Sequence, residues 1–285
     1  MNPYQKMVAD YARLHHATAG QPLGGFPPLP RPELAPDAPK VLIFSPHPDD
    51  EVIIGGLALR LMREARWRVA NVAVTLGRKP ERQAGRRAEL QACCACIGFD
   101  LIGTGPHGLI PVEPATRQAD PAHWAAAVRV IADILAREQP RVILFPHATD
   151  WNSTHIGVHF LLADALAAMP KDFTCYTIET EFWGAMSDPN LLVEITPADL
   201  GDLITALTDH VGEVQRNPYH LSLPAWMQDN VRRGAELVGG QGGGAPNFDF
   251  ATVYRLRQWR AGEWLRPYPG GRLLAAKDNP AALFP

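Results

Sequence analysis

The stretch with the strongest structural signal is VLIFSPHPDDE at residues 41–51, in which four apolar residues lead into a turn of His and Asp side chains. A short, continuous apolar run is typical of a strand that is buried on both faces. Leu57, Leu61 and Met62 follow at helical spacing within 55–65, which predicts an amphipathic helix there. This part of the chain therefore predicts a strand, a turn and a helix in succession.

The same alternation continues along the chain. Strands are predicted at 41–44, 69–76, 99–102, 142–145, 176–182 and 191–195, and helices at 55–65, 83–97, 123–137, 155–168, 200–215 and 225–237. Strands that alternate with amphipathic helices are joined by parallel crossovers. We therefore predict an α/β fold, which is a Rossmann-like, open, mostly parallel sheet with helices on both faces, in three layers.

The domain organisation is predicted to be simple, because the sequence contains no internal repeat and no linker that would separate two domains. We expect a single domain over 1–285. Within it, 1–39 is an N-terminal helix with a Pro-rich connector, 40–170 is the core that carries the metal site, and 171–285 completes the sheet and the pocket.

The composition is that of a globular protein, with 46% hydrophobic and 20% charged residues. A net charge of −3 argues against a broad polyanion-binding surface, so nucleic acid is not an expected partner. The first twenty residues lack the apolar core of a signal peptide, and no segment is apolar enough to span a membrane. We therefore expect a cytoplasmic protein without a membrane span.

The four cysteines do not form a disulfide pattern. Cys93, Cys94 and Cys96 lie in one predicted helix, and Cys175 lies far away in the sequence. This arrangement is neither a CxxC pair nor a spaced disulfide framework. Buried free thiols are the expected state, and a zinc site formed by Cys96 and Cys175 is the alternative.

Two of the apolar runs end in side chains that can bind a metal. The first leads into 45–51, and the second leads into PHATDWNSTH at 146–155. Ligands of open α/β sheets bind beyond the carboxyl ends of the strands. A dinucleotide-binding fold would have a glycine-rich turn after its first strand, where this chain has two adjacent carboxylates that would repel a pyrophosphate. The pattern therefore excludes that class and indicates a metal site.

A hydrolytic zinc site has three His or carboxylate ligands and one position left for water. His47, Asp50 and His155 supply such a set, and Asp49 is placed to act as the general base. Zn²⁺ is the expected cofactor, and another divalent metal would suit the same ligands. The alternative is that 47–51 only caps a helix, since Asp and Glu favour the first turn.

These motifs are similar to those of the PIG-L family, also called LmbE-like, of zinc-dependent N-deacetylases. The resemblance rests on elements between 40 and 168, which are HPDDE at 47–51, TLG at 75–77, RRAEL at 86–90, Gly98 and His155. It implies the α/β fold and a deacetylase of substrates that contain N-acetylglucosamine. It also implies that His47, Asp50 and His155 bind zinc, that Asp49 is the base, and that Arg86 helps to hold the sugar. For Arg86, a solvated helix face is the alternative.

The chain departs from the family pattern at one position. The family has His-x-x-His in the second segment, and here Asn152 takes the place of the first His. An asparagine can donate a hydrogen bond to an oxyanion, so we assign it that catalytic role, but it cannot deliver a proton. The acid that protonates the leaving group is therefore unassigned, with His147, His159 and His220 as candidates. Glu51 is expected to support the helix start or a ligand.

The predicted function is hydrolysis of an N-acetyl group on an N-acetylglucosamine-type sugar or glycoconjugate, a small-molecule partner. The alternatives are a zinc amidase that acts on a non-sugar or thiol-conjugate amide, and a non-enzymatic α/β binding module. We expect the pocket walls at 103–118 and after Leu221, with Trp183, Trp226 and Tyr219 as candidates for stacking on a sugar. Assembly into a homo-oligomer is left open by the sequence.

Overall fold

The computed structural model describes residues 2–285. The strands in this part of the chain are β1 (Lys40–Ser45), β2 (Arg68–Ala73), β3 (Asp100–Gly103), β4 (Val142–Pro146), β5 (Cys175–Thr180), β6 (Leu191–Ile195), β7 (Phe250–Arg260), β8 (Glu263–Leu265) and β9 (Arg272–Leu274). The helices are α1 (Pro3–Thr18), α2 (Asp50–Ile53), α3 (Gly56–Ala65), α4 (Pro80–Ile97), α5 (Pro114–Ala119), α6 (Pro121–Glu138), α7 (Ser153–Ala167), α8 (Pro197–Leu207), α9 (Val211–Val214) and α10 (Tyr219–Gly239), and a 3₁₀ helix covers Pro280–Leu283.

The strands form one sheet in the order β3-β2-β1-β4-β5-β7-β6-β9, and β8 pairs with β7. β1 lies between two parallel neighbours, so that Ile43 faces Asn71 of β2 on one side and Leu144 of β4 on the other. β7 runs antiparallel to both β5 and β6. The sheet is thus mixed and mostly parallel, which confirms the predicted fold class.

The core lies on both faces of the sheet. Successive strand residues point to opposite faces, and in β1 this places Val41 and Ile43 with residues of α3, α4 and α8. Leu42 and Phe44 pack instead with residues of α6 and α7. The two helical layers enclose the sheet, as the continuous apolar runs predict for strands that are buried on both sides.

Three strands were not predicted from the sequence, namely β7, β8 and β9, and β7 is the longest of them. β7 carries the charged residues Arg255 and Arg257, which hide its apolar alternation. In the structure both guanidinium groups bond to the carboxylate of Glu179 on β5, at 2.7 and 2.6 Å. A buried carboxylate that is distant in sequence therefore makes this strand stable, and a local pattern cannot reveal such a partner.

The helix predicted over 200–215 is wrong in its middle. It is two helices, α8 and α9, with a break at 208–210. His210 is buried at this break, and its ring Nε2 lies 2.7 Å from Glu51 Oε1. The break thus places the His210 side chain against Glu51, beside the turn that follows β1.

Helix α1 lies outside the core, since none of its residues is buried.

Between Asn2 and Pro285, the structure contains no helix that has both the length and the apolar composition needed to cross a bilayer.

Candidate metal centre and catalytic cavity

The topology of the sheet brings the two predicted motifs together. β1 and β4 are parallel neighbours, with Val41 opposite Val142, so their carboxyl ends lie at the same edge of the sheet. The turn after β1 carries His47, Asp49 and Asp50, and the segment after β4 leads into α7, whose first turn carries His155.

Three ligand atoms converge at this edge. His47 Nδ1 lies 3.2 Å from His155 Nε2, and Asp50 Oδ2 lies 3.7 Å from His47 Nδ1 and 3.6 Å from His155 Nε2. Bonds of 2.0–2.1 Å to a tetrahedral zinc ion would separate two ligand atoms by about 3.4 Å. The spacing of the three predicted ligands therefore fits a single cation.

The protonation states of this donor set also fit a metal. Burial raises the pKa of Asp50, but the neighbouring His155 and His47 outweigh this effect and lower it. Burial lowers the pKa of His155, despite the opposing charge of Asp50. An ionised carboxylate and a neutral imidazole result, which are the forms that bind metal ions.

The carboxylate of Asp150 lies close to the His155 ring. His155 Nδ1 is buried without a hydrogen-bond partner, and Asp150 Oδ2 lies 3.8 Å from it. The Asp150 carboxylate is itself fixed, because it accepts hydrogen bonds from the backbone N–H groups of Asn152 at 2.9 Å and Trp183 at 3.1 Å. The distance to His155 Nδ1 is longer than a hydrogen bond, so Asp150 contributes a fixed negative charge beside the His155 ring.

Asp49 is placed beside the three ligand atoms but is not one of them. Burial raises the pKa of Asp49 well above its ordinary value, and the charge of Asp50 adds to this effect, whereas Arg86 opposes it. A carboxyl group with a raised pKa accepts a proton readily. The division of roles predicted for the two adjacent carboxylates is therefore chemically consistent with their surroundings.

The backbone at Asp49 is strained. Its φ is 118°, in a region that side chains other than glycine rarely adopt. The Asp49 N–H donates a hydrogen bond to Glu51 Oε2 at 3.0 Å, and the other oxygen of Glu51 lies 2.7 Å from His210 Nε2. Glu51 and His210 are both fully buried, so they form a fixed support for the turn. Sequence reasoning missed His210, whose partner is 159 residues away.

Cys93 lies near the same pair, and the ligand atoms of Glu51, Cys93 and His210 all lie within 4.8 Å of one another. Burial raises the pKa of the Cys93 thiol well above its ordinary value, and the charge of Glu51 adds to this. The protonated thiol lies beside the Glu51 carboxylate, next to the contact between Glu51 and His210.

The other cysteines do not approach the predicted centre. All four thiols are free and buried, as the sequence predicts. Cys96 packs in the hydrophobic cluster on one face of the sheet and Cys175 in the cluster on the other. The alternative zinc site between these two residues is therefore wrong.

Two further elements of the predicted motif set hold the turn after β1 from outside. Thr75 Oγ1 donates a hydrogen bond to the Pro46 carbonyl at 2.6 Å, and Arg86 Nη2 donates one to the Pro48 carbonyl at 3.3 Å. Gly77 has a φ of +81°, and a Cβ atom there would lie 2.4 Å from Arg86 Nη1. Glycine is thus required for the guanidinium to reach the turn.

Asn152 caps helix α7. Its Oδ1 accepts hydrogen bonds from the backbone N–H groups of Thr154 at 2.9 Å and His155 at 3.4 Å. Asn152 also lines the cavity, and since its oxygen is committed to the helix, only the amide N–H₂ is left to serve a ligand.

The three histidines considered as acids lie elsewhere. His147 is buried, with Nε2 2.7 Å from the Gly184 carbonyl, and His159 Nδ1 lies 3.1 Å from the Pro146 carbonyl. Neither these two nor His220 is among the residues that line the cavity. Their surroundings are those of structural histidines.

A cavity of about 520 Å³ opens over the ligand atoms. Its walls come from 76–86, 152–155, 182–183 and 213–219, and the predicted walls at 103–118 and after Leu221 are wrong. Trp183 and Tyr219 line it as predicted, with ring centroids 5.7 Å apart. Trp226 instead packs against the core.

One family model matches part of the chain. Residues 42–166 match the model of the PIG-L family, which is described as GlcNAc-PI de-N-acetylase. This match confirms the resemblance predicted from the motifs. No curated protein matches the chain in sequence.

Solved structures share the fold. N,N′-diacetylchitobiose deacetylase from Pyrococcus horikoshii superposes with a TM-score of 0.54 at 18% identity, over 77% of this chain and 84% of that chain. The 4-carboxy-2-hydroxymuconate hydratase GalB of Pseudomonas putida gives 0.56 at 18%, over 76% and 95%. A deacetylase of teicoplanin biosynthesis gives 0.56 at 14%, over 76% and 97%. At these identities the likeness establishes the fold and not the reaction.

Proposed function

Because residues 42–166 match the PIG-L family model, we propose that this protein is a metal-dependent hydrolase that removes the N-acetyl group from an N-acetylglucosamine-type sugar or glycoconjugate. One observation carries the proposal. His47, Asp50 and His155 present ligand atoms to one point in a cavity, and the carboxyl group of Asp49 lies beside them without being a ligand.

The metal is proposed to be Zn²⁺, held by His47, Asp50 and His155, and another divalent cation would suit the same atoms. When bound, the cation polarises the amide carbonyl and acidifies the attacking water. Three protein ligands leave coordination positions open, which is the arrangement of catalytic rather than structural zinc sites. This donor set therefore favours an enzyme over a binding module.

Asp49 performs the proton transfers in this proposal. It takes a proton from the attacking water and then delivers it to the nitrogen of the leaving amine, so that one group acts as base and then as acid. The raised pKa of Asp49, which burial causes, suits a group that must hold a proton between the two steps. A separate histidine acid is then unnecessary, in agreement with the positions of His147, His159 and His220 outside the cavity.

Asn152 and Arg86 are proposed to position the substrate. The Asn152 amide N–H₂ donates to the carbonyl oxygen as negative charge develops there. Arg86 contacts the Pro48 carbonyl with Nη2 and lines the cavity next to Asp49, where its remaining donors are available to sugar hydroxyl groups. Trp183 and Tyr219 offer apolar ring surface to the face of the sugar.

The test is hydrolysis by zinc-loaded protein of simple N-acetylglucosamine glycosides, with free amine and acetate both measured. We expect release of equimolar acetate and amine that is abolished by a chelator and restored by zinc. The D49N variant should retain stoichiometric zinc and lose turnover by about a hundredfold or more. D133N, which changes an exposed carboxylate on α6, should retain both.

Three outcomes would contradict the proposal. Hydrolysis of non-sugar amides in place of the glycosides would indicate the amidase alternative, and full zinc binding without any hydrolysis would indicate the binding module. Loss of zinc from D49N but not from D50N would reverse the roles of the two carboxylates.

A further inference from the structure

One wall of the cavity is cationic. Arg78 and Lys79 directly precede α4, Arg82 and Arg86 lie in the first two turns of α4, and Arg216 follows α9. Apart from Asp49 and Asp50 at the metal centre, the acidic residue that lines the cavity is Glu213. The excess of positive charge lies along one wall and is not spread around the opening.

One carboxylate serves three of these guanidinium groups. Glu213 Oε2 lies 3.7 Å from Arg82 and 3.5 Å from Arg86, and Glu213 Oε1 accepts a hydrogen bond from Arg216. Burial raises the pKa of Glu213, but Arg216 and Arg86 outweigh this and lower it, so the carboxylate is ionised near neutral pH. Glu213 thus supplies one negative charge for three guanidinium groups. Arg86 also interacts with Asp49, and the wall still keeps an excess of positive charge.

The other two cationic side chains, Arg78 and Lys79, differ in whether a carboxylate lies next to them. Arg78 is paired with Glu113, so it contributes little net charge. For Lys79, the described part of the chain, 2–285, places no carboxylate within 4.0 Å of its ammonium group. Lys79 adds a further positive charge to the wall.

Most N–H donors of Arg82, Arg86 and Arg216 make no hydrogen bond within the protein. The Arg86 side chain is only 12% exposed, and its one hydrogen bond is the 3.3 Å contact to the Pro48 carbonyl. Glu213 Oε2 is buried and has no hydrogen-bond partner, since Arg82 and Arg86 stand too far away to donate to it. A guanidinium has five N–H donors. Those that Arg82, Arg86 and Arg216 do not use within the protein belong to residues that line the cavity, where they are available to a bound ligand.

We propose that Arg82, Arg86 and Arg216, with Lys79, form a subsite for an anionic oxygen group carried by the sugar substrate, either a carboxylate or a phosphate. This inference rests on the proposed function, and it narrows the substrate to anionic derivatives of the amino sugar. Arginine binds carboxylate and phosphate through paired N–H donors. Trp183 and Tyr219 line the same cavity. In this proposal they contact the uncharged sugar ring, and the cationic wall binds the anionic substituent of the sugar.

The first test measures binding and does not require hydrolysis. Calorimetry with zinc-loaded protein compares glucosamine with glucosamine 1-phosphate, glucosamine 6-phosphate and muramic acid, which carries a carboxylate. We expect at least one anionic sugar to bind about tenfold or more tightly than glucosamine, since a hydrogen bond to a charged group contributes enough for that ratio. Whether phosphate or carboxylate gives the larger ratio identifies the group.

Variants locate the source of the preference. The R82Q/R216Q double variant should reduce the ratio to about threefold or less, because it removes two of the three arginines. R232Q is the matched control, since it removes an equal charge from an exposed arginine on α10, and it should keep the ratio. In the unmodified protein the preference should fall as salt is raised, a measurement that depends on no variant.

Equal affinities for neutral and anionic sugars would overturn the subsite. So would an anionic preference that survives in R82Q/R216Q, because the anion would then be held elsewhere, for instance by the metal. Acetate release from N-acetylglucosamine, its 6-phosphate and N-acetylmuramic acid separates the two proposals. Anion-selective binding without any acetate release would refute the proposed function and support the subsite, whereas equal release and equal binding for all three would refute the subsite alone.

Discussion

Replacing Glu51 with alanine should destabilise the protein more than the loss of one side chain would suggest. The carboxylate accepts the Asp49 N–H at 3.0 Å and contacts His210 Nε2 at 2.7 Å, and all three residues are buried. Without it, two buried donors have no acceptor, at a cost of about 1–3 kcal/mol each. We therefore expect E51A to lose about 2–6 kcal/mol, a large part of the total stability of a typical domain.

The assay is urea unfolding followed by tryptophan fluorescence, with stability compared at an unchanged dependence on denaturant. E51Q removes the same charge but keeps an oxygen acceptor, so it should lose no more than about half as much. E263A, at an exposed position in β8, should change the stability by less than about 0.5 kcal/mol. A loss below about 1 kcal/mol in E51A, or equal losses in E51A and E51Q, would refute the hydrogen-bond argument.

Three further predictions follow from the site. N152A should lose about 1 kcal/mol of stability with the helix cap and about a hundredfold in turnover while keeping its zinc; unchanged turnover would show that the amide faces away from the substrate. C96A/C175A should keep full zinc content by elemental analysis, because the two thiols lie on opposite faces of the sheet, and a drop would revive a thiolate site. The lowered pKa of Glu213 means that its ion pairs stabilise the protein above about pH 4.3 and that this contribution is lost as the pH falls further. Acid unfolding of E213Q should therefore show a shallower pH dependence than that of the unmodified protein, and an identical dependence would contradict the assignment.

The sequence predicts the parallel half of the fold well because its signal is local. β1 and β4 are continuous apolar runs, and Gly98, with a φ of +86°, ends α4 where the pattern indicates. β7 has no such local signal, because Arg255 and Arg257 are accommodated by Glu179, which lies 76 and 78 residues away.

The candidate site divides in the same way. The ligand positions follow from two short motifs at the ends of neighbouring strands, and the structure brings all three ligand atoms together. The cavity wall could not be predicted, because Glu213 and Arg216 belong to a segment that tertiary packing alone carries to the metal centre. The break before α9 places His210 against Glu51 and is stabilised by that contact. The helical periodicity of the sequence does not indicate this break.

Because the backbone at Asp49 is strained, a substitution that raises stability at this position would lower activity. Its φ of 118° costs a non-glycine residue about 1–3 kcal/mol, and its carboxyl group is buried next to that of Asp50. Glycine would relieve both penalties at this position, so a screen for heat resistance alone would favour D49G and discard the proposed proton acceptor. Directed evolution of this scaffold toward thermostability therefore needs a simultaneous requirement for turnover.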